Sequence, residues 1–121
     1  MKSGPVGRFI LRWFIGSLGI WVAANLLGDR INYGGSWTVI IIAGFILAII
    51  NSLIKPIVVI LSLPAILFSL GLFIIVINGL MVLLVSWLYG RLEISGFGAA
   101  MVAGMVIGLV NFLVTTILED S

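Results

Sequence analysis

Apolar residues dominate this chain, and charged residues interrupt them at few points. Four stretches carry no charge: residues 13–28, 31–54, 56–90 and 94–118. An α-helix rises about 1.5 Å per residue, so about 20 residues cross the hydrocarbon core of a bilayer. The pattern predicts an all-α integral membrane protein with four transmembrane helices at residues 9–27, 37–54, 72–89 and 97–118. Gly4, Pro5 and Gly7 predict that the first helix begins no earlier than Val6 or Arg8.

The third stretch is too long for one crossing and is broken by prolines. Lys55 and Pro56 end or kink the second helix, because proline lacks a backbone donor and disfavours helical geometry in the preceding residue. The apolar segment 57–70 is split by Pro64 and closed by Gly71. It has the length of a re-entrant or interfacial segment between helices two and three. The third helix is expected from Leu72, with Pro64 as an alternative start.

The two halves of the chain repeat each other. Residues 43–54, AGFILAIINSLI, align without gaps on residues 103–114, AGMVIGLVNFLV. In the preceding helices Ser17 and Asn25 have the same spacing of eight residues as Asn78 and Ser86. The repeat predicts a duplicated helical hairpin within a single membrane domain, 1–121, with repeat 1 at about 9–54, a joint at 55–71 and repeat 2 at about 72–118.

Parallel copies require the joint to return to the side that it left. That arrangement has four crossings and places both termini in the cytoplasm, with four basic residues inside and two outside. A five-helix alternative, in which the joint crosses, puts Arg91 inside and gives five to one. We prefer four crossings because residues 56–70 are short and broken, and because Ser69, Leu70 and Gly71 make a poor exposed turn. The segments 31–33 and 92–94 of the outer loops alternate in polarity, which is compatible with a short β-ribbon.

The amino-acid composition excludes several kinds of binding site and catalysis. The chain is 63% hydrophobic and 8% charged, its net charge is +2, and it contains neither Cys nor His. These values exclude disulfides, zinc sites of Cys and His, and catalysis by either residue, and they show no nucleic-acid footprint. We therefore expect a non-enzyme without a cofactor, whose main partner is the lipid bilayer. A cleaved signal peptide ending near residues 22–24 is the alternative for the first helix, and the repeat argues against it.

The candidate functional residues are polar or small side chains within apolar helices. The four asparagines lie one in each predicted helix, either to hold the helices together or to line a polar seam or pore. The small residues of the repeat predict close helix packing, within the chain or in a homo-oligomer. Lys55 is either a stop signal or a site for anionic headgroups. The asparagines are Asn25, Asn51, Asn78 and Asn111; the small residues are Gly44, Ala48, Gly104 and Gly108; and the joint is marked by Lys55, Pro56, Pro64 and Gly71.

The joint also carries a family resemblance. Asn51 is followed by Lys55-Pro56, then by LSLP at 61–64, GLF at 71–73 and INGL at 77–80. With the loop signatures YGGSW at 33–37 and Gly96-Phe97, the chain resembles the four-transmembrane phage-holin superfamily of small bacterial membrane proteins. The resemblance implies a protein of the bacterial cytoplasmic membrane that oligomerises to permeabilise it. A scaffold or envelope-stress partner that forms no pore is the alternative. A small transporter is less favoured, because the predicted helices lack ionised side chains at membrane depth.

Overall fold

A computed structural model describes residues 4–119, with side chains for residues 4–118. Lys2, one of the four basic residues that the sequence predicts to lie inside, falls outside these residues, as do Asp120 and the side chain of Glu119. The elements are α1 (Pro5–Leu27), β1 (Ile31–Asn32), α2 (Trp37–Leu53), α3 (Lys55–Leu61), α4 (Leu63–Phe68), α5 (Phe73–Leu88), β2 (Glu93–Ile94) and α6 (Gly96–Glu119). The prediction of a helical membrane protein is confirmed.

Proline begins helices in this chain more often than it ends them. α1 starts at Pro5, earlier than the expected Val6 or Arg8, because proline is well suited to a first turn, where its missing N–H has no partner to lose. Pro56 likewise lies in the first turn of α3, which is bent by 42° from α2. Pro64 opens the short α4. The third long helix, α5, begins instead at Phe73.

The turn between α4 and α5 corrects an expectation. The residue types at 69–71 predict a poor exposed turn, yet a hydrogen-bonded turn forms here, with the backbone N–H of Gly71 donating to the carbonyl of Ile66 at 2.8 Å and with Leu70 exposed. The hydroxyl of Ser69 donates to the carbonyl of Ile66 at 3.2 Å and accepts from the backbone N–H of Phe73 at 2.9 Å. Leu70 and Gly71 adopt positive φ values of 57° and 90°. The hydroxyl therefore satisfies backbone groups on both sides of the turn, which the residue types alone did not indicate.

A two-stranded ribbon joins the two hairpin loops, as the alternating loop segments predicted. β1 and β2 are antiparallel, with Ile31 opposite Ile94 and Asn32 opposite Glu93. The backbone N–H of Ser95 also donates to the carbonyl of Arg30 at 2.8 Å. We call this side of the molecule the ribbon end. Because α2 starts and α5 finishes at the ribbon end, the joint between them leaves from and returns to the opposite end, the joint end.

The four long helices form a ring around a closed core near the ribbon end. α1 packs on α2 and α6, and α5 packs on α6 and α2. Each long helix contributes a side chain without solvent exposure to the half nearer the ribbon: Ala23, Ala43, Val85 and Ala100. Ile31 and Leu92 from the two loops close the core at the ribbon.

Helix length and hydropathy identify the membrane-embedded part. The helical segments Pro5–Arg30 and Gly96–Leu118 are each long and apolar enough to cross a membrane alone. α2 passes the same test only together with α3, as a bent pair, and α5 is a shorter apolar helix of 16 residues. The chain is therefore an α-helical membrane protein with two clear spans and two further apolar segments beside them.

Candidate functional site

Small residues bring α1 and α2 into backbone contact. A Cβ on Gly44 would lie 2.7 Å from the backbone N of Ser17 and would overlap the Ser17 hydroxyl. A Cβ on Gly16 would lie 3.2 Å from the carbonyl oxygen of Gly44. Ala48, one turn further along α2, is buried as well. The Gly44 and Ala48 face thus lies inside the bundle of a single chain.

The second hairpin is built in the same way. A Cβ on Gly104 would lie 2.8 Å from the backbone of Asn78, and one on Gly79 would lie 2.9 Å from the Cα of Met101. A Cβ on Gly108 would lie 3.4 Å from the amide nitrogen of Asn78. Gly104 and Gly108 therefore provide the space that the Asn78 side chain occupies against α6.

Three further close-packing glycines were not singled out from the sequence. Besides Gly16 and Gly79, Gly19 packs on α6, where its Cβ would lie 2.9 Å from a side-chain carbon of Ile107. Gly16 and Gly19 are three residues apart on one face of α1. This spacing of small residues indicates a helix-packing face, but such spacings are common by chance in apolar helices. Gly44 and Gly104 were easier to identify because the internal repeat contains both.

The bundle opens toward the joint end as a cavity of about 580 Å³, the joint-end crevice. All four long helices and the first residue of α3 line it. The polar lining consists of three basic side chains, three asparagines and one threonine: Arg8, Arg12, Lys55, Asn51, Asn78, Asn111 and Thr115. The remaining lining is apolar or glycine, including Gly104 and Gly108. Several candidates from different parts of the sequence thus lie around one space.

The crevice is strongly basic. Among residues 4–118 the acidic side chains are Asp29 and Glu93, which belong to the loops at the ribbon end and do not line it. The Arg12 guanidinium donates to the Ser52 hydroxyl at 2.9 Å, which fixes it next to the end of α2. Lys55, three residues further on and outside the long helices, has a lowered pKa because burial desolvates its ammonium group and because Arg12 is positively charged.

The asparagines divide into two groups. Asn25 is exposed in the ribbon half of α1 and donates to the carbonyl of Trp21 in its own helix at 2.8 Å. Asn51, Asn78 and Asn111 line the crevice, and their amides make no hydrogen bond within residues 4–118. These three amides remain able to donate to, or accept from, a group inside the crevice.

Arg8, Arg12 and Thr115 were not identified from the sequence as parts of a common site. The signal was present for α1, since Arg8, Arg12 and Gly16 follow one another at intervals of four and share one helix face. Pro56, Pro64 and Gly71 do not line the crevice. They shape the joint, and of the joint residues singled out from the sequence Lys55 alone reaches the site.

Comparison with known proteins gives the family. A profile described as "Mycobacterial 4 TMS phage holin, superfamily IV" matches residues 7–118. "Uncharacterized protein SCO3922" of Streptomyces coelicolor is 32% identical over 115 residues, which cover 88% of this chain and 92% of that protein. "Uncharacterized membrane protein YvlD" of Bacillus subtilis is 39% identical over 75 residues, covering 61% of this chain and 63% of the relative. No solved structure gives a significant match.

The profile covers the whole helical bundle, from the first turns of α1 to the end of α6. The resemblance seen in the joint and the loops is therefore confirmed, and the chain belongs to the mycobacterial four-transmembrane-segment phage holin family of superfamily IV.

Proposed function

We propose that this chain is a non-enzymatic, four-crossing protein of the bacterial cytoplasmic membrane that acts without conducting ions through its own bundle. The proposal rests on one observation: the half of the bundle nearer the ribbon end is closed by apolar side chains. Ala23, Ala43, Val85 and Ala100 come from the four long helices, and each has no solvent exposure. A polar path that enters the crevice therefore ends against apolar side chains.

Four crossings are supported by the positions of the loops and the joint. The β-ribbon holds both hairpin loops at one end, so α1 and α5 run in one direction and α2 and α6 in the other. α5 provides about 24 Å of helix at about 1.5 Å per residue, which a locally thinned bilayer accommodates. The duplicated hairpin is supported by matched contacts, since Gly44 packs on Ser17 and Gly104 on Asn78, at corresponding positions of the two repeats.

Orientation follows from basic residues. Arg8, Arg12 and Lys55 lie toward the joint end, whereas Arg30 and Arg91 belong to the loops at the ribbon end. By the positive-inside rule, this distribution supports an orientation with the joint end and both termini in the cytoplasm. The crevice opens on that side.

Permeabilisation by a homo-oligomer is the second candidate function, and membership of a holin family favours it. A polar pore between copies would require polar side chains on the perimeter of the bundle at membrane depth. Large apolar side chains are exposed there, among them Phe14, Phe45 and Leu109. Asn25 is exposed as well, but its amide donates to the carbonyl of Trp21 in its own helix. This perimeter suits lipid better than water. We therefore prefer a membrane scaffold that forms no pore over an oligomeric pore.

Induced expression in a bacterial host separates the two candidates. We expect the membrane potential, followed with a voltage-sensitive dye, to stay at the level of uninduced cells while the protein accumulates in the membrane. A protonophore added at the end provides the positive control for depolarisation. Abrupt depolarisation at a threshold level of protein would contradict the proposal and support the oligomeric pore. In that case the Asn51→Leu and Asn111→Leu variants show whether the crevice is part of the conducting path.

A further inference from the structure

The joint-end crevice has the composition of an anion site. We propose that it binds a phosphate-bearing anion, held by Arg8, Arg12 and Lys55 together with the amides of Asn51, Asn78 and Asn111. This inference goes beyond the proposed function, and it stands whether or not the protein conducts ions.

The positive charge of the crevice favours an anionic ligand. Three cations line one space of about 580 Å³, and no acidic side chain within residues 4–118 lines it with them. Lys55 is partly buried, whereas Arg8 and Arg12 are exposed. Like charges that line one space repel one another, and an anion bound between them replaces this repulsion with attraction. Basic pockets between transmembrane helices are known to accept phosphorylated lipid headgroups.

The Arg12 guanidinium is held in a position suited to an anion. The Ser52 hydroxyl takes one of the five N–H donors of Arg12, which orients the guanidinium and leaves the other donors without a hydrogen bond to residues 4–118. Lys55 begins α3 three residues after Ser52, and Arg12 and Lys55 both line the crevice, so one anion bound there interacts with both cations. The planar guanidinium fork also matches the geometry of a phosphate better than that of a single acceptor atom.

Three asparagine amides add hydrogen-bond donors to the crevice. Asn51, Asn78 and Asn111 come from three different helices and face the crevice without a hydrogen bond inside residues 4–118. A group with several acceptor oxygens can bind these donors and the three cations together. A phosphate has enough oxygens for this, whereas a lone carboxylate has two.

The phosphate has two possible sources. One is an anionic phospholipid of the adjacent leaflet, whose headgroup enters at the joint end where Arg8 and Lys55 line the crevice. The other is a soluble phosphate from the aqueous side. The crevice volume lies within the range of about 300–1,000 Å³ that is usual for sites of small molecules, so it admits either source.

Lipid binding is tested with the full-length protein in neutral detergent. Native mass spectrometry counts retained lipid after incubation with an equal mixture of phosphatidylglycerol and phosphatidylcholine that carry the same acyl chains. We expect the wild type to retain phosphatidylglycerol preferentially. Arg12→Gln and Lys55→Gln should each weaken this retention about tenfold, because each removes a charge-assisted hydrogen bond.

Matched variants separate the site from general charge and from misfolding. Arg30→Gln removes a positive charge at the ribbon end and should retain lipid as the wild type does. Asn78→Leu removes an amide from the crevice and should also weaken retention, and Asn25→Leu, which lies outside the crevice, is its matched control. Arg12→Lys keeps the charge and should restore most of the binding that Arg12→Gln loses. Thermal unfolding of every variant, measured by circular dichroism, identifies any that fail to fold.

The soluble source is tested by adding inorganic phosphate. If phosphate raises the melting temperature of the wild type but not of Arg12→Gln, and no lipid preference is found, the ligand is a soluble phosphate. The inference is overturned if folded wild-type protein shows neither a lipid preference nor a phosphate shift. It is equally overturned if Arg30→Gln loses as much binding as Arg12→Gln. Because binding is measured without a membrane potential, these outcomes are independent of whether the protein forms a pore.

Discussion

Single glycines set the distances between helices in this bundle. Gly44 and Gly104 lie where an added Cβ would meet the backbone of the neighbouring helix. In a bilayer such close approach matters, because van der Waals packing replaces the hydrophobic effect as the force that joins helices. The contact is made by backbone atoms that cannot rotate away.

Gly44→Ala should therefore destabilise the protein. We expect a loss of about 1–3 kcal/mol in the free energy of unfolding, since the new methyl group overlaps Ser17 and forces α1 and α2 apart. Gly98→Ala is the matched control, because nothing lies within 4 Å of its Cβ position in α6. It should stay within about 1 kcal/mol of the wild type or exceed it, as alanine favours helix. Unfolding in mixed micelles measures both, and equal losses for the two variants would show that the Gly44 contact carries no energy.

Residue patterns predicted part of this packing and part of the site. The repeat marked Gly44, Gly104 and the asparagines, because duplication makes chance agreement unlikely. It could not indicate that Gly19 meets Ile107, since those residues lie 88 positions apart and in different repeats. It also could not indicate that Arg12 reaches Ser52, because that hydrogen bond depends on how α1 and α2 align in space.

At the scale of elements, the ribbon is the feature that determines the relation between the two hairpins. Its register places Asn32 opposite Glu93. Opposed residues of antiparallel strands have Cα atoms about 4.5–5.5 Å apart, within the range that a disulfide bridges. The chain contains no native cysteine, so an introduced pair reacts without competition.

The double variant Asn32→Cys/Glu93→Cys should form an intramolecular disulfide under mild oxidation. A mobility shift on non-reducing gels that is reversed by a thiol reductant measures it. The control pair Asn32→Cys/Lys55→Cys should not react, because α2 separates its members by 17 residues, about 25 Å of helix. Failure of the first pair, with the protein folded, would contradict the paired loops and the direction of α5.

The helix breaks in the joint could be predicted from the sequence, whereas the structure of its final turn could not. Lys55, Pro56 and Pro64 correctly indicated that the helix is interrupted after α2. The turn at residues 69–71 was misjudged, because its stability depends on the two hydrogen bonds of the Ser69 hydroxyl. Such local bonds depend on the exact path of the backbone, which composition does not specify.

The whole molecule has two unlike halves. The half near the ribbon is closed by apolar side chains from all four long helices, whereas the half near the joint opens into a basic crevice. A bundle of this kind offers a ligand site on one face of the membrane without a path to the other. The proposed topology has the joint end facing the cytoplasm and both loops facing outward, which sets the side from which a ligand would enter the crevice.

Labelling of single cysteines in intact spheroplasts with a membrane-impermeant maleimide tests this arrangement most directly. We predict that Asn32→Cys and Glu93→Cys are both labelled from outside, whereas Arg8→Cys is labelled only after the membrane is permeabilised. The account is contradicted if Asn32→Cys and Glu93→Cys are labelled from opposite sides, or if Arg8→Cys is labelled in intact spheroplasts.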